Sequence, residues 1–201
     1  MNKAIFFFIF LLLTACGKTE PVFEKLSSDA VILSFGDSLT YGTGASQNAD
    51  YPSILSQLSS HEVINAGIPG EISRDGLNRL PSVLDEYQPD LLILIHGGND
   101  ILRKIPQKQT SDNLIEMISL AKQQNIKVVM LGVPELGLFL LSSSELYQQV
   151  AKAQKVPIDL ETLPEILGDK KMKSDTIHPN DKGYKLMAEN IFKLLTSSGA
   201  L

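Results

Sequence analysis

Short apolar runs recur along the chain and predict the strands of a sheet. In chain order these runs are Ala30–Phe35, Glu62–Asn65, Leu91–Ile95, Lys127–Leu131 and Val156–Leu160. The central runs are apolar on both alternating faces, which is typical of parallel strands that are covered on both sides. The last run contains Pro157, whose missing N–H suits the edge of a sheet.

Three other segments have apolar residues at helical spacing. The apolar positions are Ile54, Leu55 and Leu58 in the first segment, Leu114, Ile115, Ile118 and Leu120 in the second, and Leu186, Met187, Ile191 and Leu194/Leu195 in the third. Pro52 suits the first turn of the first helix. We expect Ser111 or Asp112 to cap the second helix, and Asn180 or Asp181 to cap the third. Strands that alternate with helices predict right-handed crossovers and a three-layer α/β/α sandwich.

The N-terminal residues have the pattern of an export signal. Lys3 precedes the apolar run from Ala4 to Leu13, which is shorter than the roughly 18 residues of a membrane span. The run ends in Leu13-Thr14-Ala15-Cys16, which resembles the lipobox of bacterial lipoproteins, where the acylated cysteine becomes the first residue. An ordinary secretory signal with a chance cysteine is the alternative.

The lipobox interpretation divides the chain into three parts. Residues 1–15 are the predicted signal peptide, 16–29 a lipidated tether with Pro21 and a serine pair, and 30–201 the folded domain. Cys16 is the only cysteine, so no disulfide can form within the chain. In the lipoproteins that this pattern resembles, a residue such as Gly17 after the lipidated cysteine favours the outer membrane. We therefore expect a lipid-anchored protein of the cell envelope that faces the periplasm.

Composition narrows the possible functions. The chain has 201 residues, 43% of them hydrophobic and 20% charged, with a formal net charge of −5. This length suits one globular domain, and the charge leaves no basic patch for nucleic acid. The sequence contains no metal-binding motif and no glycine-rich phosphate loop, so we expect no metal and no cofactor.

Four short clusters carry the candidate chemistry. They are Phe35-Gly36-Asp37-Ser38-Leu39, Asn65-Ala66-Gly67, Gly97-Gly98-Asn99-Asp100 and Asp175-Thr176-Ile177-His178-Pro179. The first three follow predicted strands, and the carboxyl ends of parallel strands share one rim of the sheet. Together the clusters supply what a serine hydrolase needs: a nucleophile, a base, an orienting carboxylate and oxyanion donors.

Each cluster also has a plainer structural interpretation. The residues around Ser38 fit a strand-to-helix turn with Asp37 shaping the turn, and Asn65-Ala66-Gly67 alone fits an ordinary turn. Asp175 and His178 fit a short loop in which the carboxylate orients the base, or a surface turn with an idle histidine. His61 lies in a polar segment and is expected to be exposed. His96, next to an apolar strand and Gly97, is expected to be a hydrogen-bonded core residue or to support the site, and not to act as the base.

The four clusters together resemble the blocks of the SGNH hydrolase family, the GDSL esterases and lipases. The resemblance runs from about Ala30 to about Leu195, and is closest to the bacterial thioesterase, arylesterase and lysophospholipase group. It implies five parallel strands in a flavodoxin-like order. It also implies Ser38 as nucleophile, with Asp175 and His178 completing the triad. The implied oxyanion donors are the N–H groups of Ser38 and Gly67 and the side-chain amide of Asn99.

The resemblance leaves the substrate open. It implies lysophospholipids, aryl esters or acyl thioesters, while a carbohydrate O-acetylesterase and a non-catalytic binding lipoprotein are alternatives. The segment 136–141, with sequence LGLFLL, is unusually apolar for a loop. It fits either the wall of an acyl groove or the start of a helix packed on the sheet.

Overall fold

The computed structural model describes residues 22–135 and 142–201, and its centre is a sheet of five parallel strands. These strands are β1 (Val31–Gly36), β2 (Glu62–Gly67), β3 (Leu91–Ile95), β4 (Lys127–Leu131) and β7 (Ile158–Asp159). Two further short strands, β5 (Pro134–Glu135) and β6 (Ser142–Ser143), pair antiparallel beside the sheet. The five predicted strands are therefore confirmed, with small differences at their ends.

The strand order brings the candidate clusters to one rim. The order is β2-β1-β3-β4-β7, which corresponds to the flavodoxin-like arrangement and confirms the expected fold class. Gly36 pairs with Gly67 on one side and with Ile95 on the other, so β1, β2 and β3 end at the same level. The short strand β7 lies at the edge, as Pro157 predicted.

Eight helices in the described part of the chain cover the sheet. They are α1 (Ser38–Tyr41), α2 (Tyr51–Ser59), α3 (Ser73–Tyr87), α4 (Gly98–Leu102), α5 (Gln107–Gln123), α6 (Glu145–Gln154), α7 (Thr162–Gly168) and α8 (Asp181–Ser197). Helices α2, α7 and α8 pack together, as do α3, α5 and α6, and the two groups form the outer layers of the sandwich. Asn180 caps α8 by accepting hydrogen bonds from the N–H groups of Lys182 and Gly183.

Two details of the helix predictions are wrong. Helix α5 begins at Gln107 after Pro106, so Ser111 and Asp112 lie inside the helix and do not cap it. The first two turns are mostly polar and exposed, and they lack the apolar spacing that marked the rest of the helix. Leu58 lies in the last turn of α2 and is exposed instead of facing the core.

The core surrounds the central strand. All five residues of β3 are fully buried, and large side chains from both helical layers pack against the sheet. Burial of this kind is the main favourable term in folding. It gives the strand ends that carry the candidate site a rigid base.

The folded domain begins upstream of the predicted start at Ala30. Phe23 and Leu26 donate backbone hydrogen bonds to the carbonyls of Ser198 and Ala200, and Leu26 is buried. Part of the predicted tether is therefore packed against the end of α8. Cys16 and the predicted signal peptide lie outside the described residues. Across residues 22–135 and 142–201, none of the helices has the length and apolar character of a membrane span.

Candidate active site

Ser38 lies where β1 turns directly into a helix. Gly36 ends the strand, and a Cβ there would lie 2.0 Å from the carbonyl oxygen of Ile95, so only glycine fits this close approach. Asp37 caps α1 by accepting a 3.0 Å hydrogen bond from the N–H of Leu39. Ser38 is the first residue of α1, is half-buried and lines the main cleft. Its own N–H is in the first turn, where helix N–H groups have no intrahelical partner.

The loop before α8 brings an imidazole to this serine. His178 Nε2 lies 3.0 Å from Ser38 Oγ, although 140 positions separate the two residues in the chain. On the other side of the ring, Nδ1 lies 2.8 Å from Asp175 Oδ2. The loop is held by backbone hydrogen bonds from Ser174 to His178 and from Asn180 to Met172. The structure therefore brings the three predicted triad residues into one hydrogen-bonded row.

Asp175 is positioned by its own loop. Its Oδ1 accepts hydrogen bonds of 2.8 Å from the N–H groups of Ile177 and His178, which leaves Oδ2 for the imidazole. Burial acts to raise the pKa of Asp175, but the hydrogen bonds from the His178 ring and the two N–H groups outweigh it, and the pKa lies below its ordinary value. An ionised carboxylate at Nδ1 favours the tautomer in which Nδ1 carries the proton, which leaves Nε2 free to accept the proton of Ser38.

Asn99 faces the same cleft from the end of β3. It lies in α4, just after Gly97, which has a positive φ of 98°. One amide contact is a 3.0 Å hydrogen bond from Nδ2 to the carbonyl of Glu71, and the other runs 3.3 Å to Asp37 Oδ2. An amide nitrogen has two hydrogens, and the longer contact is weaker than a typical hydrogen bond. The Asn99 Nδ2 hydrogen that faces Asp37 is therefore the one available to donate a hydrogen bond to a substrate oxyanion.

Asp37 supports the turn, as the sequence suggested, and also contacts Asn99. Its carboxyl is buried, and this burial raises its pKa, while the hydrogen bond from the Leu39 N–H acts in the opposite direction. Asp37 thereby joins the serine turn to the asparagine turn. It makes no contact with the Ser38 hydroxyl among the hydrogen bonds of the described residues.

Gly67 has a structural role that the sequence did not reveal. A Cβ at this position would lie 2.1 Å from the backbone nitrogen of Tyr41, so glycine lets the end of β2 pack against α1. The Gly67 N–H donates a 3.0 Å hydrogen bond to Asn65 Oδ1, a neighbouring exposed side chain. A substrate oxyanion would have to share or replace this acceptor, and the donor role of Gly67 stays a prediction.

The cleft beside Ser38 is mainly apolar. It has a volume of about 250 Å³, and Ser38, Asn99 and His178 are among the residues that line it. Its apolar lining includes Pro69, Ile101, Leu102, Val133, Leu167 and Ile177. The predicted apolar groove segment, 136–141, lies outside the described residues, but Val133 and Pro134 on its N-terminal flank line this cleft.

The other two histidines do not contact the nucleophile. His96 is fully buried, with Nε2 3.1 Å from Glu71 Oε2 and Nδ1 accepting a hydrogen bond from the N–H of Gly97, which confirms a supporting position. His61 was expected to be exposed, but it is half-buried. Its ring nitrogens contact the backbone carbonyls of Ser59 and Ser27, because the N-terminal segment packs over it.

The sequence did not reveal the contacts that hold the start of α3 against the site. Asp100 is buried and accepts hydrogen bonds from the Ser73 N–H (2.7 Å) and hydroxyl (2.5 Å), so it anchors the start of α3 to α4. Glu71 precedes this helix and is clamped by Arg79. A pair eight positions apart across a loop–helix boundary matches no periodic pattern, so no simple sequence signal marked it. Within residues 22–135 and 142–201, no group of three His, Cys, Asp or Glu side chains could hold a metal ion.

Comparisons with known proteins match most of the chain. The model of the GDSL-like Lipase/Acylhydrolase family matches residues 34–186. The chain is 33% identical over 204 residues to an arylesterase of Vibrio mimicus, covering 94% of this chain and 95% of that protein. It is 31% identical over 180 residues to thioesterase 1/protease 1/lysophospholipase L1 of Escherichia coli K12, covering 86% of each. Among solved structures, the psychrotrophic esterase EstA from Pseudoalteromonas sp., inhibited by monoethylphosphonate, aligns with a TM-score of 0.73 and 25% identity, covering 84% of this chain and 97% of that chain.

Proposed function

This chain belongs to the GDSL-like lipase/acylhydrolase family, and on that premise we propose that it cleaves esters with a triad of Ser38, His178 and Asp175. Relatives that share about a third of its sequence are named arylesterase and thioesterase/lysophospholipase, and the chain is a serine hydrolase that acts on ester bonds. The observation that carries the triad assignment is the 3.0 Å contact between Ser38 Oγ and His178 Nε2, with Asp175 behind the ring.

The proposed acylation step begins with proton transfer from Ser38 Oγ to His178 Nε2. The oxygen attacks the ester carbonyl carbon and forms a tetrahedral intermediate whose negative charge develops on the former carbonyl oxygen. The Ser38 N–H, the Gly67 N–H and the Asn99 amide are the proposed donors to that oxyanion. The intermediate then collapses, and His178 returns the proton to the departing alcohol or thiol. Ser38 is left as an acyl ester.

Deacylation repeats the same proton transfers with water. His178 accepts a proton from a water molecule, which attacks the acyl carbonyl and forms a second oxyanion in the same donor set. Collapse releases the carboxylic acid and restores the Ser38 hydroxyl. No redox or metal-assisted step is needed, and the ionised Asp175 stabilises the imidazolium that forms in both halves.

The cleft supports substrates with an apolar acyl group. Apolar side chains line most of its wall, and burial of each methylene group of an acyl chain contributes about 0.8 kcal/mol at most. Lysophospholipids and long-chain acyl thioesters carry such an acyl group, aryl esters carry an apolar leaving group, and the names of the relatives support the same classes. The described residues that line the cleft are mainly apolar and do not favour a carbohydrate acetyl ester.

A chain-length series of p-nitrophenyl esters tests this substrate class. We expect kcat/KM to rise from acetate to a medium-chain ester, and we expect hydrolysis to disappear in Ser38→Ala. Ser119→Ala, on the distant helix α5, is the matched control and should hydrolyse like the wild type. A maximum at acetate would instead support an O-acetylesterase. The absence of hydrolysis for every ester would support a binding protein.

We also propose that the mature protein is held in the cell envelope by a lipid at Cys16. This proposal rests on the lipobox-like sequence and on the polar residues that follow it. Cys16→Ser should release the protein from the membrane fraction while purified enzyme keeps its kcat, because the acylation site precedes the folded domain. Thr19→Ser is the matched control and should remain in the membrane pellet. A Cys16→Ser protein that stays in the pellet would contradict the lipid anchor.

A further inference from the structure

A buried charged cluster lies beside the proposed oxyanion donors. Its centre is Glu71, whose side chain is 7% exposed. Arg79 binds both carboxylate oxygens, with Nε donating to Oε1 at 2.9 Å and a terminal nitrogen donating to Oε2 at 2.8 Å. His96 accepts the Gly97 N–H at Nδ1, so Nε2 carries the proton and donates to Glu71 Oε2 at 3.1 Å. The carboxylate is therefore held from two sides.

Arg79 extends the cluster to the ends of β1 and β2. Its guanidinium carbon lies 4.2 Å from the centre of the Phe35 ring, three residues before the nucleophile. The terminal nitrogen also donates a 3.1 Å hydrogen bond to the carbonyl of Ala66, directly before Gly67. A planar guanidinium can stack on a ring and bind a carboxylate through two hydrogen bonds at the same time, whereas the ammonium group of lysine cannot.

The backbone of Glu71 connects the cluster to Asn99. Its carbonyl accepts the 3.0 Å hydrogen bond from Asn99 Nδ2, the shorter of the two contacts of that amide. His96, on the same connection as Asn99, binds the Glu71 carboxylate. Two hydrogen bonds therefore join Glu71 to the segment that carries Asn99: His96 Nε2 donates to the Glu71 side chain, and Asn99 Nδ2 donates to the Glu71 backbone carbonyl.

A glycine inside α3 makes room for this arrangement. A Cβ at Gly76 would lie 2.3 Å from His96 Nε2 and 3.2 Å from Glu71 Oε2. Glycine in a helix interior lowers the stability of the helix relative to alanine, so a structural role is expected for Gly76. The space it leaves allows His96 to reach Glu71.

The electrostatics keep Glu71 charged. Burial acts to raise the pKa of Glu71, but hydrogen bonds from His96 and Arg79 and the charge of Arg79 outweigh it and lower the pKa to about 2. The bidentate pair therefore persists at every pH at which an esterase of this type would be assayed.

We propose that Glu71, clamped by Arg79 and His96, is a positioning residue that holds the Asn99 amide in place for the oxyanion. The inference rests on the proposed function, since it requires Asn99 to be an oxyanion donor. A buried ion pair by itself is weak evidence for a stabilising role. This pair is assigned to the site because it contacts the three segments that carry Ser38, Gly67 and Asn99.

The test is a double-mutant cycle between Glu71→Gln and Asn99→Ala, with kcat, KM and melting temperature measured for each protein. Removal of one oxyanion donor typically lowers kcat by about 10²–10³-fold, which we expect for Asn99→Ala. For Glu71→Gln we expect a loss of about 10-fold in kcat with little change in KM, because the donor is displaced and not removed. In the Asn99→Ala background the same change should alter kcat by less than about 2-fold.

Two further variants keep the test decisive. Asp112→Asn is the matched control, since it removes one charge from the exposed Lys108–Asp112 pair, and it should keep wild-type kcat. Arg79→Lys replaces Glu71→Gln if that protein does not fold. It keeps the charge but loses the two-point clamp, and it should show a smaller kcat loss with the same dependence on Asn99.

The possible failures are distinguishable. An equal loss of kcat in both backgrounds, or wild-type kcat in folded Glu71→Gln and Arg79→Lys, would overturn the positioning role while leaving the donor role of Asn99 intact. Wild-type kcat in Asn99→Ala would remove the donor role and this inference together. Ser38→Ala, measured alongside, reports on the triad independently of both.

Discussion

Replacement of Asp175 by asparagine tests the proposed orientation of the catalytic base. The amide can keep its oxygen toward the N–H groups of Ile177 and His178, which Asp175 Oδ1 now contacts at 2.8 Å. Its nitrogen then lies where Oδ2 lies, 2.8 Å from His178 Nδ1. Because this nitrogen is a donor, Nδ1 must accept, and the ring proton moves to Nε2. A protonated Nε2 cannot take the proton of Ser38.

The magnitude follows from the exposure of the pair. The same tautomer error in the serine-protease template lowers kcat by about 10⁴, or roughly 5 kcal/mol of transition-state stabilisation. Here the Asp175 side chain is 53% exposed, so water can replace part of its role. We therefore expect a loss of kcat between about 10²-fold and 10⁴-fold. The melting temperature should change little, because the loop keeps its backbone hydrogen bonds.

The assay is kcat on a p-nitrophenyl ester, together with melting temperature. Asp169→Asn is a matched control, since Asp169 lies in the same segment between α7 and α8 and accepts a similar 2.8 Å hydrogen bond from the Lys171 N–H, but makes no hydrogen bond to His178 among the described residues. It should keep wild-type kcat. A folded Asp175→Asn protein with kcat within 2-fold of the wild type would refute the reasoning, and so would an equal loss in Asp169→Asn.

Two further predictions concern stability and packing. The pKa of Glu71 in the folded protein is about 2, below its ordinary value of 4.5. Ionisation of Glu71 therefore stabilises the fold above about pH 4.5, by roughly 3 kcal/mol. This contribution is lost as the pH falls toward 2. The difference in unfolding free energy between wild type and Glu71→Gln should therefore shrink over that pH window in denaturant titrations, and a constant difference would contradict the ion pair. Gly67→Ala should lower both melting temperature and kcat, because its methyl group would displace α1 at Tyr41 and with it Ser38. Wild-type values for both would show that the end of β2 packs less tightly than described.

The fold was predictable mainly where burial leaves a simple pattern. A strand such as Leu91–Ile95 is covered on both faces, so its sequence is continuously apolar and its bounds match the prediction. Helix α3 was not predicted, because Gly76 and Pro81 interrupt its interior with residues that disfavour helices. Tertiary contacts override these preferences, since the Gly76 position provides space for His96.

The candidate site was predictable in its reacting groups and not in its supports. Ser38 and His178 stand in short motifs at the end of a strand and before a helix, where topology alone brings side chains to one rim. The contacts of Glu71, in contrast, join a loop, a helix and a strand end at distances in the chain that no periodicity encodes. The conflict between a donor role for Gly67 and its hydrogen bond to Asn65 also emerged only from the geometry.

Covalent labelling is the most direct test of the central claim that Ser38 is an activated nucleophile. The native enzyme is treated with a fluorophosphonate, and the modified residue is identified by peptide mass spectrometry. We predict one phosphonyl group per chain on Ser38, no label on Ser38→Ala or on denatured protein, and wild-type labelling of Ser119→Ala. A label on another residue of the native enzyme, or undiminished labelling of Ser38→Ala, would contradict the account.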